Sequence, residues 1–274
     1  MRKTDLVILV TLYVLFSFKS LFSVGSGDLE ITFWDVGQGD AIFISTPHGK
    51  KIVIDGGDDF EADYRMSKIN PFYSCYIDVL ILTHPHSDHI KSLNRMMQRC
   101  KVGSVMFNDV EFDSPYFSLF KELSMEKNVR NIYAGDKFEI DGVNFKVLWP
   151  EKEFLQNKVV DINDVSIVVF LDYGYFEAIL TGDATEKVLG LMDYSFVQDD
   201  IDGDLDVLKI PHHGSKYSLH KAFYNKANPE KCVISVGKDN KFGHPSSEVV
   251  SFLKDQGCEV LRTDEIGDIK ILVH

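Results

Sequence analysis

The sequence predicts an α/β protein in which layers of strands and helices pack on each other. Segments with the period-two alternation of strands and segments with the apolar spacing of helices succeed one another along the chain. Polar and titratable side chains also concentrate directly after the apolar, strand-like segments. Because strand ends meet at one edge of a layered sheet, we expect these side chains to form a single site.

The composition narrows the functional classes. The chain has 274 residues, 45% of them hydrophobic, which is enough for one large core. Its formal net charge at neutral pH is -13. A protein that coats nucleic acid through many phosphate contacts needs an excess of Lys and Arg, so the charge argues against a non-specific nucleic-acid scaffold. A nuclease stays open, because bound divalent cations would reverse the field locally.

The first 26 residues differ from the rest of the chain. Two basic residues precede an apolar run over residues 6–18, and small residues follow it. This order is typical of a cleaved secretory signal peptide. A membrane anchor over residues 6–24 and a buried strand are the alternatives. We expect a secreted or membrane-anchored protein, with residues 27–274 forming one domain outside the cytosol.

The cysteines carry little functional signal. They are widely spaced and include no Cys-x-x-Cys pair. An even number in an exported chain permits disulfides, but the spacing does not reveal the pairing. Since they lie in strand-like or helix-like segments, we expect most of them to be buried small hydrophobic side chains. They are Cys75, Cys100, Cys232 and Cys258.

Antiparallel strands are predicted at the start of the domain. Residues 29–45 alternate around a glycine-rich turn, and residues 51–55 follow a second turn that contains His48. His48 is interpreted as a solvated turn residue. Asp55 ends a buried strand immediately before two glycines, where its carboxylate either orients a neighbour or caps the turn.

Helices and further strands follow. Residues 91–97 and 116–127 have helical apolar spacing, and residues 102–107 between them have the pattern of a parallel strand. Two later hairpins are predicted, one at the Asp141-Gly142 turn and one at the Tyr173-Gly174 turn.

A cluster of three histidines and one aspartate follows the apolar run over residues 77–82. Pro85 prevents a regular helix through the cluster, so it is a loop at a strand end and differs from the helical His-Glu-x-x-His zinc motif. Imidazole and carboxylate ligands suit zinc, manganese or iron, and the lack of a thiolate favours a catalytic over a structural site. The members are His84, His86, Asp88 and His89.

Four other strand-like runs also end at titratable side chains. This repeated placement predicts that these side chains join the histidine cluster at one edge of the fold. In chain order they are Asp55, Asp183, the pair His212 and His213, and His244, with Lys209 and Lys241 nearby as candidate phosphate contacts.

The order of these residues resembles the metallo-β-lactamase fold superfamily. Within it, residues 34–41, the turn after Asp55, residues 209–215 and the Gly243-His244-Pro245 run resemble the C-terminal hydrolase domain of ComEC-type DNA-uptake channel proteins. The resemblance covers about residues 29–270. It implies an αββα sandwich of two mixed β-sheets flanked by helices, with a metal site on one edge. It also implies phosphodiester hydrolysis, in the channel protein a proposed degradation of the DNA strand that is not imported.

The resemblance also implies a set of ligands for two metal ions. His212 is preferred to His213 as a ligand because it is nearer the strand exit. Asp55 would fix the histidine loop from behind. By position, His84 and His86 would hold the first ion, Asp88, His89 and His212 the second, and Asp183 would bridge them.

One departure from the superfamily concerns the first metal ion. Many members use a further histidine before the bridging aspartate, but this chain has none from residue 90 to residue 211. Asn163 and Ser166 occupy that place, as in ComEC-like domains. We therefore expect a weak, oxygen-rich first site that suits manganese better than zinc, with one or two ions in total.

The expected chemistry assigns a role to the remaining polar residues. A divalent ion lowers the pKa of its water towards roughly 7, and a pair about 3.5 to 4 Å apart can clamp a phosphodiester. Asp88 or Asp183 would orient the attacking water. His213 or His244 would bind a phosphoryl oxygen or protonate the leaving group. His244 could instead be a structural loop residue, and Lys209 could pair with a neighbouring carboxylate.

We therefore expect a metal-dependent hydrolase, a phosphodiesterase or nuclease with zinc or manganese that acts on a phosphodiester such as single-stranded DNA. The first alternative is a small or surface-polymer phosphodiester such as a choline phosphate ester, which the acidic charge favours. A catalytically silent metal-binding module is the second. β-Lactam hydrolysis is the third, and the missing histidine argues against it.

Overall fold

The computed structural model describes residues 27–69, 75–157, 159–195 and 204–274. The signal peptide or anchor predicted for residues 1–26 lies outside the described residues. Within the four described ranges, no helix is both long enough and apolar enough to cross a bilayer.

The first half of the chain builds one sheet. Strands β3 and β4 are its first parallel pair, and the strands before β3 run antiparallel to one another. The strands of this half are β1 (Leu29–Phe33), β2 (Ile42–Ser45), β3 (Lys51–Ile54), β4 (Tyr76–Ile81), β5 (Lys101–Met106) and β6 (Asn128–Arg130).

The second half builds the other sheet and returns one strand to the first. The strands are β7 (Lys137–Ile140), β8 (Val143–Trp149), β9 (Val168–Tyr173), β10 (Phe176–Leu180), β11 (Val207–Lys209), β12 (Lys231–Ile234), β13 (Glu259–Arg262) and β14 (Ile269–Val273). The sheet orders are β14-β1-β2-β3-β4-β5-β6 and β13-β12-β11-β10-β9-β8-β7.

Both sheets change from antiparallel to parallel pairing at their middle strand. In the first sheet this strand is β3, which pairs antiparallel with β2 and parallel with β4. In the second it is β10, which pairs antiparallel with β9 and parallel with β11. Loops at the ends of these strands are therefore the natural place for a site.

Helices connect the parallel strands and cover the outer faces. Pro115 begins one of them, and the Ser114 side chain caps it by accepting a hydrogen bond from the Phe117 N–H. The helices are α1 (Glu61–Ile69), α2 (Ser87–Arg99), α3 (Pro115–Ser124), α4 (Lys152–Leu155), α5 (Glu186–Leu191), α6 (Lys221–Ala227), α7 (Ser247–Asp255) and α8 (Thr263–Ile266).

The core has three parts, which confirms the predicted αββα layers. Ile52 and Ile54 of β3 face the second sheet, whereas Val53 faces the helices outside the first sheet. Likewise, Ala178 and Leu180 of β10 face inwards and Ile179 faces the outer helices of the second sheet. The period-two alternation in the sequence thus divides side chains between an inner core and an outer one.

The four cysteines form two disulfides. The expectation that most of them are only buried small hydrophobic side chains was therefore wrong. Cys75 pairs with Cys100, and Cys232 pairs with Cys258. Each bond joins the starts of two neighbouring parallel strands, β4 to β5 in one case and β12 to β13 in the other. Both bonds therefore lie at the strand ends opposite those that carry the histidines.

The predicted hairpin turns are present, and one of them ties the two sheets together. Asp141 and Gly142 connect β7 to β8 as predicted. The Asp141 carboxylate accepts hydrogen bonds from the Thr46 hydroxyl and from the backbone N–H of His48. His48 is exposed, as expected, but its ring also pairs with Asp141, with Nδ1 2.6 Å from Oδ1.

Candidate metal centre

The predicted site residues gather where the middle strands of both sheets end. β4 leads through Thr83 into His84, and α2 begins at Ser87, directly after His86. Asp88 and His89 therefore lie in the first turn of a helix, so the prediction of a loop through the whole cluster was wrong for its second half. Because the helix starts inside the cluster, the side chains of Asp88 and His89 follow the periodicity of a helix and not the alternation of the preceding strand.

Asp183 lies at the centre of the site and is almost fully buried. Its Oδ2 atom is 3.4 Å from His89 Nε2, 3.4 Å from His213 Nε2 and 4.0 Å from His84 Nε2. Asp88 joins from the other side, with its Oδ2 3.4 Å from His213 Nε2. The bridging role of Asp183 stays a prediction, and its position among three imidazoles is the position that role requires.

The structure brings His213, rather than His212, to this centre. His213 is buried, and its Nε2 atom lies near both Asp88 and Asp183. The His212 ring instead lies beside the His244 ring, with 5.6 Å between centroids. Both histidines have left-handed backbone conformations, with φ of 51° and 56°. The geometry therefore favours His213 over His212 for the predicted ligand place, and the ligand role itself stays a prediction.

His86 and Asn163 lie at the margin of the centre. His86 Nδ1 is 3.1 Å from His84 Nε2, and its ring meets Phe112 edge-on. Asn163 is buried. The contact to Asp183 comes from Ser166, three residues further along the chain, whose hydroxyl accepts a hydrogen bond from the Asp183 N–H at 3.2 Å. The sequence had placed both Asn163 and Ser166 here.

Asp55 holds the histidine loop from behind, as the resemblance implied. Its Oδ1 accepts from the Thr83 N–H at 2.9 Å, and its Oδ2 accepts from the Thr83 hydroxyl at 2.7 Å and lies 2.8 Å from His89 Nδ1. A hydrogen bond at Nδ1 directs the other ring nitrogen of His89 into the centre. His213 is oriented in the same way, because its Nδ1 lies 2.9 Å from the Ser235 carbonyl oxygen.

Burial and the contacts between imidazoles and carboxylates shift the pKa values of the residues at the centre. Burial opposes the charge on Asp183, but His213 and His89 outweigh it and lower the pKa of Asp183 well below its ordinary value. Burial also opposes the charge on His89, yet Asp183 and Asp55 raise the pKa of His89 well above its ordinary value. Burial, reinforced by His89, lowers the pKa of His84 well below its ordinary value.

The residues present fit a divalent metal ion. Three buried atoms at the centre have no hydrogen-bond partner among the described residues: His89 Nε2, His213 Nε2 and Asp183 Oδ1. Buried polar atoms without partners are rare unless something else satisfies them. Donor atoms of His84, His89 and Asp183, and separately those of Asp88, His89 and His213, lie within 4.8 Å of one another. Imidazole and carboxylate donors without thiolate are those of a transition-metal site.

Lys209 does not face the site, which corrects its assignment as a phosphate contact. Its side chain is fully buried, and Nζ lies 2.5 Å from Asp40 Oδ2 and donates to the carbonyl oxygens of Gly182 at 3.0 Å and Ile210 at 3.3 Å. An ammonium with these three partners has no free surface for a substrate. The alternative, pairing with a carboxylate, is the one the structure shows.

Asp40 was missed by the sequence interpretation, which treated it as part of a turn. Its Oδ1 is 3.5 Å from His213 Nδ1, and its Oδ2 is 3.9 Å from His89 Nδ1. The turn is also tied to the histidine helix, because the Asp40 N–H donates to the Asp88 carbonyl oxygen at 3.2 Å. An aspartate at the end of the Gly37-Gln38-Gly39 turn was the available signal.

His244 lies beside the His212 and His213 rings and is half-buried. Its ring centroid is 6.3 Å from that of His213. Its buried Nδ1 atom has no hydrogen-bond partner within the described part of the chain. Burial, helped by His213 and His212, lowers the pKa of His244 to about 4.

Comparison with known proteins agrees with this geometry. The sequence profile described as the metallo-beta-lactamase superfamily matches residues 34–238. The chain belongs to this superfamily. It therefore has the fold of the metallo-β-lactamase hydrolases, and its donor set fits the divalent metals that this fold binds.

Two bacterial proteins are similar to this metallo-β-lactamase superfamily chain over most of its length. It is 30% identical to ComE operon protein 3 of Bacillus subtilis (strain 168), with 94% of this chain and 34% of that protein covered. It is 28% identical to competence protein ComA of Neisseria gonorrhoeae, with 90% and 33% covered. The chain thus spans about a third of the length of each. The predicted resemblance to ComEC-type proteins is confirmed.

A solved structure shares the metallo-β-lactamase fold. YhfI of Bacillus subtilis, titled a metallo-beta-lactamase fold protein, superposes with a TM-score of 0.58 at 11% identity, with 89% of this chain and 100% of that chain covered. At this identity the likeness concerns the fold, and it agrees with the two mixed seven-stranded sheets described above.

Proposed function

We propose that this superfamily member is a metal-dependent phosphodiesterase that cleaves nucleic acid outside the cytosol. The observation that carries the proposal is the convergence of Asp183, His89 and His213, whose inward-facing atoms are buried without hydrogen-bond partners among the described residues. Divalent ions held there would supply an activated water and neutralise charge on phosphoryl oxygens.

The residues of the centre would divide into metal ligands and a residue that orients the attacking water. Asp183 and His213 would be ligands, with His213 replacing His212 in the predicted set. Asp88 is the most exposed carboxylate of the group, and it sits in the first turn of α2. Burial opposes its charge, but the close approach of His213, at 3.4 Å, and the proximity of His89 outweigh this and lower the pKa of Asp88, so it would remain an acceptor for the attacking water.

His212 and His244 would face the substrate. Their rings lie next to each other, and a buried Nδ1 atom of each has no hydrogen-bond partner among the described residues. Both lie beside the ligand His213 rather than among the carboxylates. Their ring N–H groups would donate to a phosphoryl oxygen or to the leaving oxygen.

A nucleic-acid substrate is supported by the relatives and by local charge. One of the similar proteins reported above is named a competence protein, and the other is ComE operon protein 3. In addition, residues 210–229, which include His212 and His213, contain three exposed lysines and no acidic residue, although the chain as a whole carries a charge of -13. The acidic remainder favours the second candidate, a small or surface-polymer phosphodiester.

A location outside the cytosol is supported by the two disulfides. Disulfides persist in oxidising compartments and are rare in the cytosol. The signal-like composition of residues 1–26 points the same way.

The test is a metal-dependent cleavage assay with the full chain. The protein is stripped of metal, loaded with zinc or manganese, and given a bis-aryl phosphodiester, single-stranded DNA and double-stranded DNA. Cleavage of DNA is expected, together with its loss in Asp183→Asn and its retention in Asp255→Asn, an exposed aspartate at the end of α7. Cleavage of the aryl ester alone would favour the second candidate, and metal binding without any turnover would favour a silent binding module.

A further inference from the structure

An exposed aromatic side chain lies directly beside the metal centre. Phe242 is 56% exposed, and its ring stacks on the His244 ring with 5.9 Å between centroids and 24° between planes. His244 in turn lies 5.6 Å from His212 and 6.3 Å from His213, again between ring centroids. Phe242 is therefore separated from a candidate metal ligand by a single imidazole.

The loop that carries Phe242 is held in a fixed shape. The Asn240 side chain donates to the carbonyl oxygens of Gly237 at 2.9 Å and His244 at 2.6 Å. Its amide oxygen accepts from the backbone N–H groups of Phe242 at 3.2 Å and His244 at 3.1 Å. Four hydrogen bonds to one half-buried amide fix the loop, so Phe242 presents its ring with little loss of entropy on contact.

This loop is locked to the one that supplies His213. The Ser246 N–H donates to the Gly214 carbonyl oxygen at 2.9 Å. Gly214 has φ of 77°, and a Cβ atom there would come within 2.6 Å of Pro245 Cβ, so the two loops approach as closely as glycine permits. Tyr217 follows on the His213 loop and is 68% exposed. The structure thus places two exposed aromatic rings on a pair of interlocked loops.

A lysine side chain lies close to each of the two exposed aromatic rings. Lys241 Nζ lies 5.2 Å from the Phe242 ring centroid, and Lys216 Nζ lies 5.1 Å from that of Tyr217. Both lysines are exposed. Lys241 had been predicted as a phosphate contact, and its exposure beside the Phe242 ring agrees with that use. Aromatic faces alternating with cations are the arrangement that binds single-stranded nucleic acid, through base stacking and phosphate contacts.

We propose that Phe242, assisted by Tyr217, is a base-stacking platform that makes the site select single-stranded nucleic acid. The proposal rests on the nuclease function proposed above and names its substrate class. Bases in a duplex are stacked on their neighbours and present only their edges, whereas an unpaired base can lay its face on Phe242. Its 3′- or 5′-phosphate would then lie towards His244 and the metal centre.

The test measures binding separately from cleavage. Binding of a labelled oligothymidylate and of an abasic oligonucleotide of equal length is measured by fluorescence anisotropy with the Asp183→Asn protein as background. We expect Phe242→Ala to weaken binding of the base-bearing strand by about 5- to 100-fold, the range found for loss of one stacked base. Phe242→Tyr should retain the affinity. Tyr175→Ala removes an aromatic that is 94% exposed on the β9–β10 turn and serves as the matched control.

The outcomes separate the two proposals. Equal affinity of the parent protein for the base-bearing and abasic strands overturns the stacking platform, even if the wild-type protein cuts DNA. The platform is also overturned if Phe242→Ala leaves the affinity for both strands unchanged, or lowers the affinity for both strands equally. Base-dependent binding that needs Phe242, in a wild-type protein without nuclease activity, supports the platform and overturns the nuclease function.

Discussion

The Lys209 ammonium lies 2.5 Å from the Asp40 carboxylate, and both side chains are fully buried behind the metal centre. Lys209 also holds the carbonyl oxygen of Gly182, directly before the central Asp183. Asp40 reaches the Nδ1 side of His213 at 3.5 Å. This ion pair therefore joins the β1–β2 turn, the end of β10 and the end of β11 beneath the ligands.

Replacing Lys209 with methionine should destabilise the protein by about 3–5 kcal/mol, since one charge of a buried pair would be left without its partner. The free energy of unfolding, measured with urea on metal-free protein, reports this loss. Lys254→Met, at an exposed lysine of α7, provides the comparison. A second change, Asp40→Leu in the Lys209→Met protein, should recover part of the loss. A Lys209→Met protein as stable as the Lys254→Met one would contradict the ion pair.

The two adjacent histidines should differ in their effect on metal binding. His213→Ala removes a buried nitrogen that lies 3.4 Å from both Asp88 and Asp183, so its metal affinity should fall by more than about 100-fold, beyond the range for residues that only orient ligands. His212→Ala should leave the affinity within about tenfold of wild type. Calorimetric titration with zinc and with manganese measures both. The reverse order would return the ligand role to His212.

The disulfides should each contribute about 3–4 kcal/mol to stability, because they close loops with sequence separations of 25 and 26 residues. The Cys75→Ser/Cys100→Ser and Cys232→Ser/Cys258→Ser proteins should therefore unfold at lower urea concentrations than wild type. Thiol titration of the unfolded, unreduced protein should find none of the four cysteines free. Four reactive thiols under those conditions would show that the bonds do not form.

The turn at Asp141 should make stability depend on acid pH. Burial opposes its charge, but hydrogen bonds from Thr46 and His48 outweigh this and lower the pKa of Asp141. A depressed carboxyl pKa stabilises the fold above the unfolded pKa of about 3.9, and the contribution disappears as the pH falls through the folded pKa. Asp141→Asn, which tolerates the same left-handed φ of 56°, should thus lower stability at pH 7 by at most about 1 kcal/mol. Stability curves that stay equally far apart at pH 7 and pH 2 would refute this.

Much of the site was predictable because strand patterns and titratable residues are both visible in the sequence. The alternation in β3 fixes which of its side chains face inwards, and Asp55 at its end could be recognised as a residue that supports the histidines. The choice between His212 and His213 was not predictable in this way. Both histidines have a positive φ, a backbone conformation that non-glycine residues rarely adopt. The direction of each side chain therefore does not follow from its distance along the chain from the end of the strand.

Other features depended on topology that a single sequence does not reveal. Lys209 ends an apolar strand, and only the arrival of the β1–β2 turn from the other sheet supplies the carboxylate that allows it to be buried. The cysteine pairing required knowing that β4 neighbours β5 and that β12 neighbours β13. A separation of 25 or 26 residues matches one strand-helix-strand crossover, which is the physical reason that these cysteines meet.

Each disulfide closes a covalent ring around one crossover, with α2 inside the first ring and α7 inside the second. A protease that cuts the chain once within either ring would leave the two pieces attached to each other. Such nicked protein would migrate at its full mass in a gel until a reductant released the fragments. The segment from Cys75 to Cys100, which contributes His84, His86, Asp88 and His89, could thus be cut without being shed.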